Sequence, residues 1–594
     1  MKRAAVIIGV DQTGDLPKLT DAARGAALME SWAKAQKLEE IHLLTDAAGE
    51  LKVERIKDVI RDLVNAKNIS QLIVYFAGHG VNKERNEYWL LSRAPDDSQE
   101  AVNVAGSVAL ASTCGIPHVI FISDACRTAA EGVRAQSVRG SEIFPNREED
   151  ENPVDVFYAC QLGRPSHEVK DPKVTSAEFK ALYTHELVPA LSGSRAQIVE
   201  WSAVRGQQVG RVHLRPLRDH LVEAVSARLQ NMQLQTKVIQ VPMARINSDP
   251  PMWLSQVDAV AAAGDGQVFG VAGPAPAQPA PAAAPPARGA EAAAPAAAPT
   301  PTLLQSVLKG STLNASRGTA RERNSDVAAA AAHIAEPFGP MHHETGCGFK
   351  IRGALIVEAH AKNATHDFPP QSVRGTDLRI TSSKMPGANV LMVLDSGRGV
   401  LLPAIPDFMC ALTVDDGELV DVAYEPSDNH WRWQEYTMRA PESRELRGII
   451  AASMSRGVFH LEGDDALKIA MRLQNAKCID PSFAVYAAHA YHDLQRFDLI
   501  RQMRDFMQAD LGAPLFDVAL LAKSLRGKAV PGDVPVIGIM PMLSQGWALL
   551  PAYRVKPPDR VLKLRESLVP SLWTLLEPEG VALALEAIQA GDIP

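Results

Sequence analysis

His118-Val-Ile-Phe-Ile-Ser-Asp-Ala-Cys-Arg-Thr128 is the part of the sequence from which the fold is most readily inferred. Its apolar run, Val119 to Ile122, stops abruptly at a cluster of small and polar residues. A short apolar run that ends in this way predicts a buried strand of a parallel sheet. Because ligands and catalytic groups of such sheets lie just beyond the carboxyl ends of the strands, Cys126 stands where a functional residue is expected.

A second stretch, Gln71-Leu-Ile-Val-Tyr-Phe-Ala-Gly-His-Gly80, has the same form. It places His79 between two glycines, beyond the end of another predicted strand. Neighbouring strands lie about 4.8 Å apart, so the imidazole of His79 can act on the thiol of Cys126 if these two strands are neighbours. A cysteine or a histidine alone is more often structural, but both motifs on consecutive strands favour a catalytic pair.

This pair has the chemistry of nucleophilic catalysis. A cysteine attacks a peptide carbonyl as the thiolate, and a neighbouring histidine removes the thiol proton. The same histidine then protonates the leaving amine. Backbone N–H groups would stabilise the oxyanion, and we expect those of Gly80 and Cys126 to do so, since a glycine permits a close approach.

Phe76-Ala-Gly-His-Gly80 followed by Ser123-Asp-Ala-Cys-Arg127 resembles the motifs of the caspase, metacaspase and paracaspase superfamily of cysteine peptidases. In caspases the histidine lies roughly 50 residues before the cysteine, a spacing similar to the one here. The sequence Asp-Ala-Cys-Arg departs from the caspase pattern, whereas metacaspases and paracaspases carry an acid two residues before the nucleophile. The resemblance covers roughly residues 1 to 255 and implies a cysteine-type endopeptidase.

Strands and helices are predicted to alternate through residues 1–255. This alternation indicates an α/β fold with a doubly wound, mostly parallel sheet, which the resemblance also implies. An Ala- and Pro-rich stretch follows, and because such a composition cannot build a core we predict a linker at 256–302. Beyond the linker we expect a mainly β region at 303–440 and an α-helical region at 441–594 with a recognition or regulatory role.

Asp124 is the predicted acid of the primary specificity pocket. A carboxylate there favours a basic residue before the scissile bond, and Arg more than Lys because a guanidinium pairs with it bidentately. The alternative is a strand-end aspartate that caps the following helix. Gly25 stands where metacaspases carry a second acid, and the residues leave open whether Asp21 replaces it. Glu168 is a further candidate acid of the pocket.

Residues 134–153 form a polar, charged segment without periodicity, which predicts a mobile loop. Two interpretations stay open. The segment is either a solvated surface loop, as charge runs usually are, or a linker that the enzyme itself cleaves. The resemblance supports the second interpretation, because relatives of caspases are often processed at this place.

Composition excludes several other classes of protein. A formal net charge of -8 argues against a nucleic-acid binder. No apolar stretch approaches the roughly 20 residues that a membrane span needs. Six scattered cysteines are typical of a reducing cytoplasm. The segment 81–89 lacks the run of acidic ligands with which some metacaspases bind calcium, so we predict no metal and no cofactor.

The sequence therefore predicts a cytoplasmic cysteine endopeptidase with a His79/Cys126 dyad and a preference for basic residues. Its partners would be a protein or peptide substrate and a regulatory protein or signal that the C-terminal region binds. Bacterial stress response, cell death or antiviral defence are settings that the resemblance alone suggests. The alternative is a catalytically silent scaffold in which the caspase-like fold mediates protein assembly.

Overall fold

The structure is a computed structural model in which particular ranges of the chain are described. These ranges are 2–19, 21–83, 86–127, 138–160, 183–204, 207–231, 242–258, 345–369, 375–383, 387–454, 459–461 and 465–594. For Cys126 and Arg127 the description covers the backbone alone. Glu168, residues 134–137 and residues 259–302 of the predicted linker lie outside the described residues.

A central sheet organises the N-terminal part. Its strands are β1 Lys2–Gly9, β2 Glu40–Thr45, β3 Ile69–Lys83, β4 Asn86–Leu90, β5 Ala101–Asn103, β6 His118–Arg127, β7 Val154–Tyr158 and β10 Met243–Arg245. The main strands run in the order β10-β7-β6-β3-β1-β2. All neighbours along this order pair in parallel except β10 and β7, so the predicted mostly parallel sheet is confirmed. The hairpin of β4 and β5 extends from the carboxyl end of β3.

Three further strands form a small antiparallel sheet, namely β8 Val199–Val204, β9 Gln207–His213 and β11 Trp253–Asp258. The last of these strands ends at Asp258, so it extends beyond residue 256, where the linker was predicted to begin. In this strand Leu254 and Val257 are buried, whereas Gln256 is exposed, as expected of a half-buried strand.

Helices cover both faces of the central sheet, which is why its strands are apolar on both sides. They are α1 Ala22–Ala35, α2 Val53–Asn65, α3 Val104–Ala111, α4 at residues 183–191 and α5 Leu214–Asn231. Successive side chains of a strand point to opposite faces. In β3, Tyr75 therefore packs with α1, α4 and α5, whereas Phe76 packs with α2 and α3.

The C-terminal region, residues 345–594, is β-rich first and α-helical afterwards, as predicted. Its helices begin at Trp433 rather than at 441. The strands are β12 Gly348–Arg352, β13 Ile356–Ala361, β14 Ala364–Asp367, β15 Asp377–Ser383, β16 Ala388–Leu394, β17 Gly399–Ala404, β18 Phe408–Asp415 and β19 Glu418–Pro426. The helices are α6 Trp433–Met454, α7 Ala466–Ala476, α8 Ser482–Asp493, α9 Phe497–Leu511, α10 Phe516–Leu521, α11 Leu549–Ala552, α12 Asp559–Lys563 and α13 Pro578–Ala590.

A buried ion cluster joins the strands and the helices of the C-terminal region. Arg447 of α6 donates to both carboxylate oxygens of Asp421 on β19, at 2.9 and 2.8 Å, and also to Asp480 before α8. Burial raises the pKa of Asp421 to about 6, although the charge of Arg447 opposes the rise. A buried charge is tolerated only when it is paired in this way, so the cluster fixes the position of α6.

The C-terminal region packs against the side of the sheet that α2 and α3 cover. One apolar core runs from these helices into the C-terminal helices. Polar contacts accompany the apolar ones: the side chain of Asn103 donates to the carbonyl of Ala548 at 2.7 Å, and Arg565 donates to the hydroxyl of Tyr88 at 2.7 Å. Both contacts are buried, so this interface excludes water.

The described part of the predicted loop, residues 138–153, contains no helix or strand, but it is not the solvated surface loop that its charges suggest. Val138, Ile143 and Phe144 are buried in this segment. The carboxylate of Glu151 lies 3.2 Å from Arg501 and 3.0 Å from Lys523 of the C-terminal region. The charged residues dominate this stretch, so its few apolar residues did not stand out in the sequence. Nothing in the sequence showed that the C-terminal region would neutralise its charges.

None of the described helices has both the length and the apolar composition of a membrane span.

Candidate active site

The two motifs of the sequence lie side by side in the central sheet. Strands β3 and β6 are parallel neighbours, and His79 stands opposite Cys126 in their register. Neighbouring strands are about 4.8 Å apart, so the backbones of the two residues are adjacent. The prediction that the histidine and cysteine strands are neighbours is confirmed.

A backbone carbonyl fixes the ring of His79, which is 1% exposed. The Nε2 atom lies 2.8 Å from the carbonyl oxygen of Pro17, in the segment between β1 and α1. Since a carbonyl can only accept, Nε2 carries the proton and Nδ1 of the neutral ring is the basic nitrogen. Sequence analysis missed Pro17 because a carbonyl acceptor has no side-chain signature.

The glycine before the histidine makes room for an aromatic stack. A Cβ atom on Gly78 would lie 2.4 Å from the ring of Phe76. That ring stacks on Trp89 of β4, with centroids 4.7 Å apart and planes inclined by 3°. Gly80, on the other side of His79, is in register with Trp89 and with Arg127 of β6. Its role in an oxyanion site stays a prediction.

Asp124 lines a narrow cleft between the sheet and α1. The carboxylate is 3% exposed and accepts a hydrogen bond from the hydroxyl of Thr184 on α4. Asp21 and Gly25 line the same cleft, which at about 10 Å³ has room for no more than about one water. Arg24 lies 4.0 Å from Asp21. The structure thus brings Asp21 and Asp124 to one cleft.

The alternative role of Asp124, a strand-end cap of a following helix, is wrong. Strand β6 continues to Arg127, so Asp124 lies within the strand. Its register partner on β3 is Ala77, two residues before His79. Successive side chains alternate between the faces of a strand, and the side chain of Asp124 lies on the face of β6 that borders the cleft.

Residues 2–242 match the family model of the caspase domain. This part of the chain belongs to the caspase-like peptidase superfamily. The matched residues contain both motifs and every strand of the central sheet except the edge strand β10, so the caspase-like fold that the sequence predicts is shown for the N-terminal part.

Solved structures with some likeness to the chain include two caspases and a bacterial protein. The Drosophila initiator caspase Dronc is 9% identical, over 43% of this chain and 82% of its own, with a TM-score of 0.27. Caspase-1 from Spodoptera frugiperda is 14% identical, over 43% and 89%, with a TM-score of 0.25. A protein from Geobacter sulfurreducens is 14% identical, over 41% and 92%, with a TM-score of 0.25. None of the curated proteins matches the chain.

Two hydroxyl groups of the caspase domain join the carboxylate of Asp124. The hydroxyl of Tyr75 lies 2.7 Å from that of Thr184, which in turn donates to Asp124. Burial, reinforced by the charge of Asp124, raises the pKa of Tyr75 well above its ordinary value. The phenol therefore stays protonated. Sequence analysis missed both residues because a lone Tyr in a strand and a lone Thr in a helix carry no motif.

A second polar cluster lies on the opposite face of the same strands. The indole N–H of Trp89 is 2.8 Å from a carboxylate oxygen of Glu87 and 2.9 Å from the hydroxyl of Ser123. That hydroxyl donates to the same oxygen of Glu87. Ser123 lies three residues before Cys126, so this cluster connects β4 to the cysteine strand.

Other cysteines of the chain are poor nucleophiles. Burial raises the pKa of the Cys114 thiol to about 11 and that of Cys347 to about 12. Burial also raises the pKa of Cys410 well above its ordinary value. A thiol must lose its proton to attack a carbonyl, so these three are unreactive at neutral pH.

Proposed function

We propose that the protein is a cysteine endopeptidase whose dyad is His79 and Cys126. The observation that carries the proposal is the register of β3 and β6, which sets the two residues opposite each other. The contact of His79 with the Pro17 carbonyl supports it, because that contact leaves Nδ1 as the basic nitrogen.

The reaction would follow from these positions. The Cys126 thiol passes its proton to Nδ1 of His79, and the thiolate attacks the scissile carbonyl. The positive charge on the ring is stabilised by the Pro17 carbonyl. Backbone N–H groups of Gly80 and Cys126 would stabilise the oxyanion. His79 then protonates the leaving amine, and a water activated by the same nitrogen hydrolyses the acyl-enzyme.

The cleft beside the dyad supports cleavage after a basic residue, Arg more readily than Lys. Asp124 at its base and Asp21 at its rim offer carboxylates, and a guanidinium pairs with a carboxylate bidentately. Glu168 would add a third acid. Because the cleft has room for no more than about one water, entry of an arginine side chain requires its rim to open. The exposed side chain of Arg24 stands at that rim.

The C-terminal region would regulate the dyad through two segments, one that follows the histidine strand β3 and one that follows the cysteine strand β6. On the histidine side, Asn86 of β4 donates to the carbonyl of Gln545 at 3.1 Å. On the cysteine side, Glu151 pairs with Arg501 and Lys523. A regulatory protein or signal that moved the C-terminal region would therefore act on both segments at once.

Self-cleavage at 134–153 is a further part of the proposal. Three arginines of this stretch fit the proposed specificity, and two of them lie in described residues. Arg139 pairs with Glu566, and the carbonyl of Arg147 accepts from Arg526 at 2.7 Å. Contacts of this kind keep a peptide out of an active site, so processing would need the C-terminal region to move first.

We place the protein in the cytoplasm on the strength of its scattered cysteines, which suit a reducing compartment. Programmed cell death or bacterial defence rests on the resemblance to metacaspases alone.

The test uses the full chain and fluorogenic peptides that end in Arg, Lys or Asp. We expect cleavage after Arg, slower cleavage after Lys, and none with Cys126→Ala. Cys114→Ala is the matched control, since its thiol is buried and protonated. Cleavage after Asp would contradict the role of Asp124. Folded protein that cleaves no peptide and fails to react with a peptidyl-arginine chloromethyl ketone would favour the alternative, a silent scaffold.

A further inference from the structure

Gly25 adjoins two hydroxyl groups in the cleft. A Cβ atom at residue 25 would lie 3.0 Å from the Tyr75 hydroxyl oxygen and 3.7 Å from the Thr184 hydroxyl oxygen. Even a methyl group at residue 25 would thus crowd the phenol, and a carboxylate side chain would have to displace it. The two hydroxyl groups occupy the space into which a longer side chain at residue 25 would extend.

The hydrogen bonds of this group run in one direction. A hydroxyl has one proton, and that of Thr184 is donated to the Asp124 carboxylate. The Tyr75 hydroxyl, 2.7 Å away, must therefore donate to the oxygen of Thr184. Hydrogen bonds in a chain strengthen one another, so Tyr75 improves the donor that Thr184 presents to Asp124.

We propose that Thr184 and Tyr75 are positioning residues for the specificity pocket, because they orient the Asp124 carboxylate toward an arginine side chain of the substrate. This inference rests on the proposed function. Asp124 is the acid at the base of the cleft, and the hydroxyl pair takes the space that a second acid at residue 25 would need. The pocket therefore presents one deep carboxylate whose orientation depends on two neutral donors.

The orientation of the Asp124 carboxylate depends on its hydrogen-bond donors because the site is buried. Tyr75 is fully buried, and Thr184 and Asp124 are each 3% exposed. Water has little access to a carboxylate at such a site, so the Thr184 hydroxyl takes the place of a solvating water. Without that donor the carboxylate would turn toward other donors, and the new orientation would weaken its pairing with a guanidinium.

Three substitutions in the full chain test the hydroxyl groups of Thr184 and Tyr75. Thr184→Val keeps the shape and removes the donor, Thr184→Ser keeps the donor, and Tyr75→Phe removes the outer hydroxyl. Tyr183→Phe is the matched control. It removes a fully buried hydroxyl next to Thr184 that has no hydrogen-bond partner among the described residues.

Two readouts are compared, namely the kinetics on Arg and Lys peptides and the alkylation of Cys126 by iodoacetamide. We expect Thr184→Val to raise the KM for Arg peptides about tenfold, with kcat within a factor of about two. Tyr75→Phe should raise KM less, whereas Thr184→Ser and Tyr183→Phe should match the wild type. Alkylation should be unchanged throughout, because the reagent does not use the pocket.

A binding measurement makes the test independent of turnover. The Cys126→Ala chain, with and without Thr184→Val, is titrated with a peptide that has Arg or norleucine before the scissile bond. Preference for Arg that Thr184→Val leaves intact would overturn the positioning role and leave the proposed function standing. If the Cys126→Ala chain does not prefer Arg, the proposed specificity fails and the positioning role fails with it. A loss of preference in Thr184→Val alone supports the inference, with thermal unfolding as the check of folding.

Discussion

The two faces of β3 and β6 carry different chemistry at the same end of the sheet. On one face Asp124 and Tyr75 join Thr184 in a cleft beside α1. On the other face Phe76 and Ser123 pack under Trp89 in a closed layer of aromatic and polar groups. Alternation along a strand thus lets adjacent residues line a polar cleft and a buried core at once.

The C-terminal region belongs to the second face. Its buried contacts reach Asn103 and Tyr88, on the hairpin that extends from β3, and its apolar residues continue the core under α2 and α3. The two faces of the strands therefore have separate roles. Changes on the cleft face should alter catalysis and specificity, whereas changes on the second face should alter stability and the contact with the C-terminal region.

The largest effect is expected from His79→Ala on the cleft face. Loss of the base should lower the rate of peptide cleavage by about 10⁴-fold or more, as for other nucleophile–base pairs. The matched control is His118→Asn at the opposite end of β6, where the histidine is buried between Asp155 and Gln71. That variant should unfold more easily yet keep the kcat of its folded fraction. Equal losses of kcat in both variants would contradict a special role for His79.

The next effect is expected from Trp89→Leu on the second face. The indole is fully buried, stacks on Phe76 and donates to Glu87, so its loss should cost about 3–5 kcal/mol of unfolding free energy. Denaturant unfolding measures the cost. Trp89→Phe keeps a ring and removes the donor, and should cost less. A changed ratio of Arg to Lys cleavage at unchanged stability would show that the two faces are not separate.

Much of the cleft face was predictable because its reactive and charged side chains lie at the ends of apolar runs in the sequence. Apolar runs predicted β3 and β6, and the motifs at their ends predicted that His79 and Cys126 lie together. Asp124 and Asp21 share a cleft, whereas the residues alone had left the place of Asp21 open. Each of these inferences used a residue type that is costly or reactive when buried, and such residues stand out in a sequence.

The rest depends on tertiary contacts that leave no local pattern. Pro17 acts through its carbonyl, and Thr184 matters only because α4 folds against Tyr75. The 138–153 segment has the charge of a solvated loop, but Ile143 and Phe144 fix it in a core that distant residues complete. Periodicity cannot signal an anchor made of one or two residues.

A smaller effect is expected from pH, through His492 of α8. Burial lowers its pKa from 6.5 to about 3, so the unfolded chain binds the proton first as the pH falls. The part of the unfolding free energy that depends on a neutral His492 is fully present above pH 6.5 and is lost as the pH falls toward 3. Between pH 7 and pH 5 the loss is about 2 kcal/mol.

Chemical denaturation of the wild type and His492→Gln at pH 7 and pH 5 measures this contribution. The variant should lose less stability than the wild type between the two values. The difference between the two chains isolates His492 from other groups, among them Asp421, whose raised pKa acts in the opposite direction. An identical loss in both chains would show that His492 is not the group responsible.

The smallest effect is expected from Glu151→Gln, where the 138–153 segment meets the C-terminal region. Exposed ion pairs contribute up to about 1 kcal/mol, and the two partners of Glu151 leave its carboxylate partly exposed. Cleavage by trypsin at Arg147 should therefore quicken by about fivefold at low salt and by less at high salt. Glu149→Gln is the control, because Glu149 forms no ion pair among the described residues. Equal rates for the two variants would mean that the buried Ile143 and Phe144 fix the segment by themselves, and a signal acting through the C-terminal region would then have to open an apolar contact rather than an ionic one.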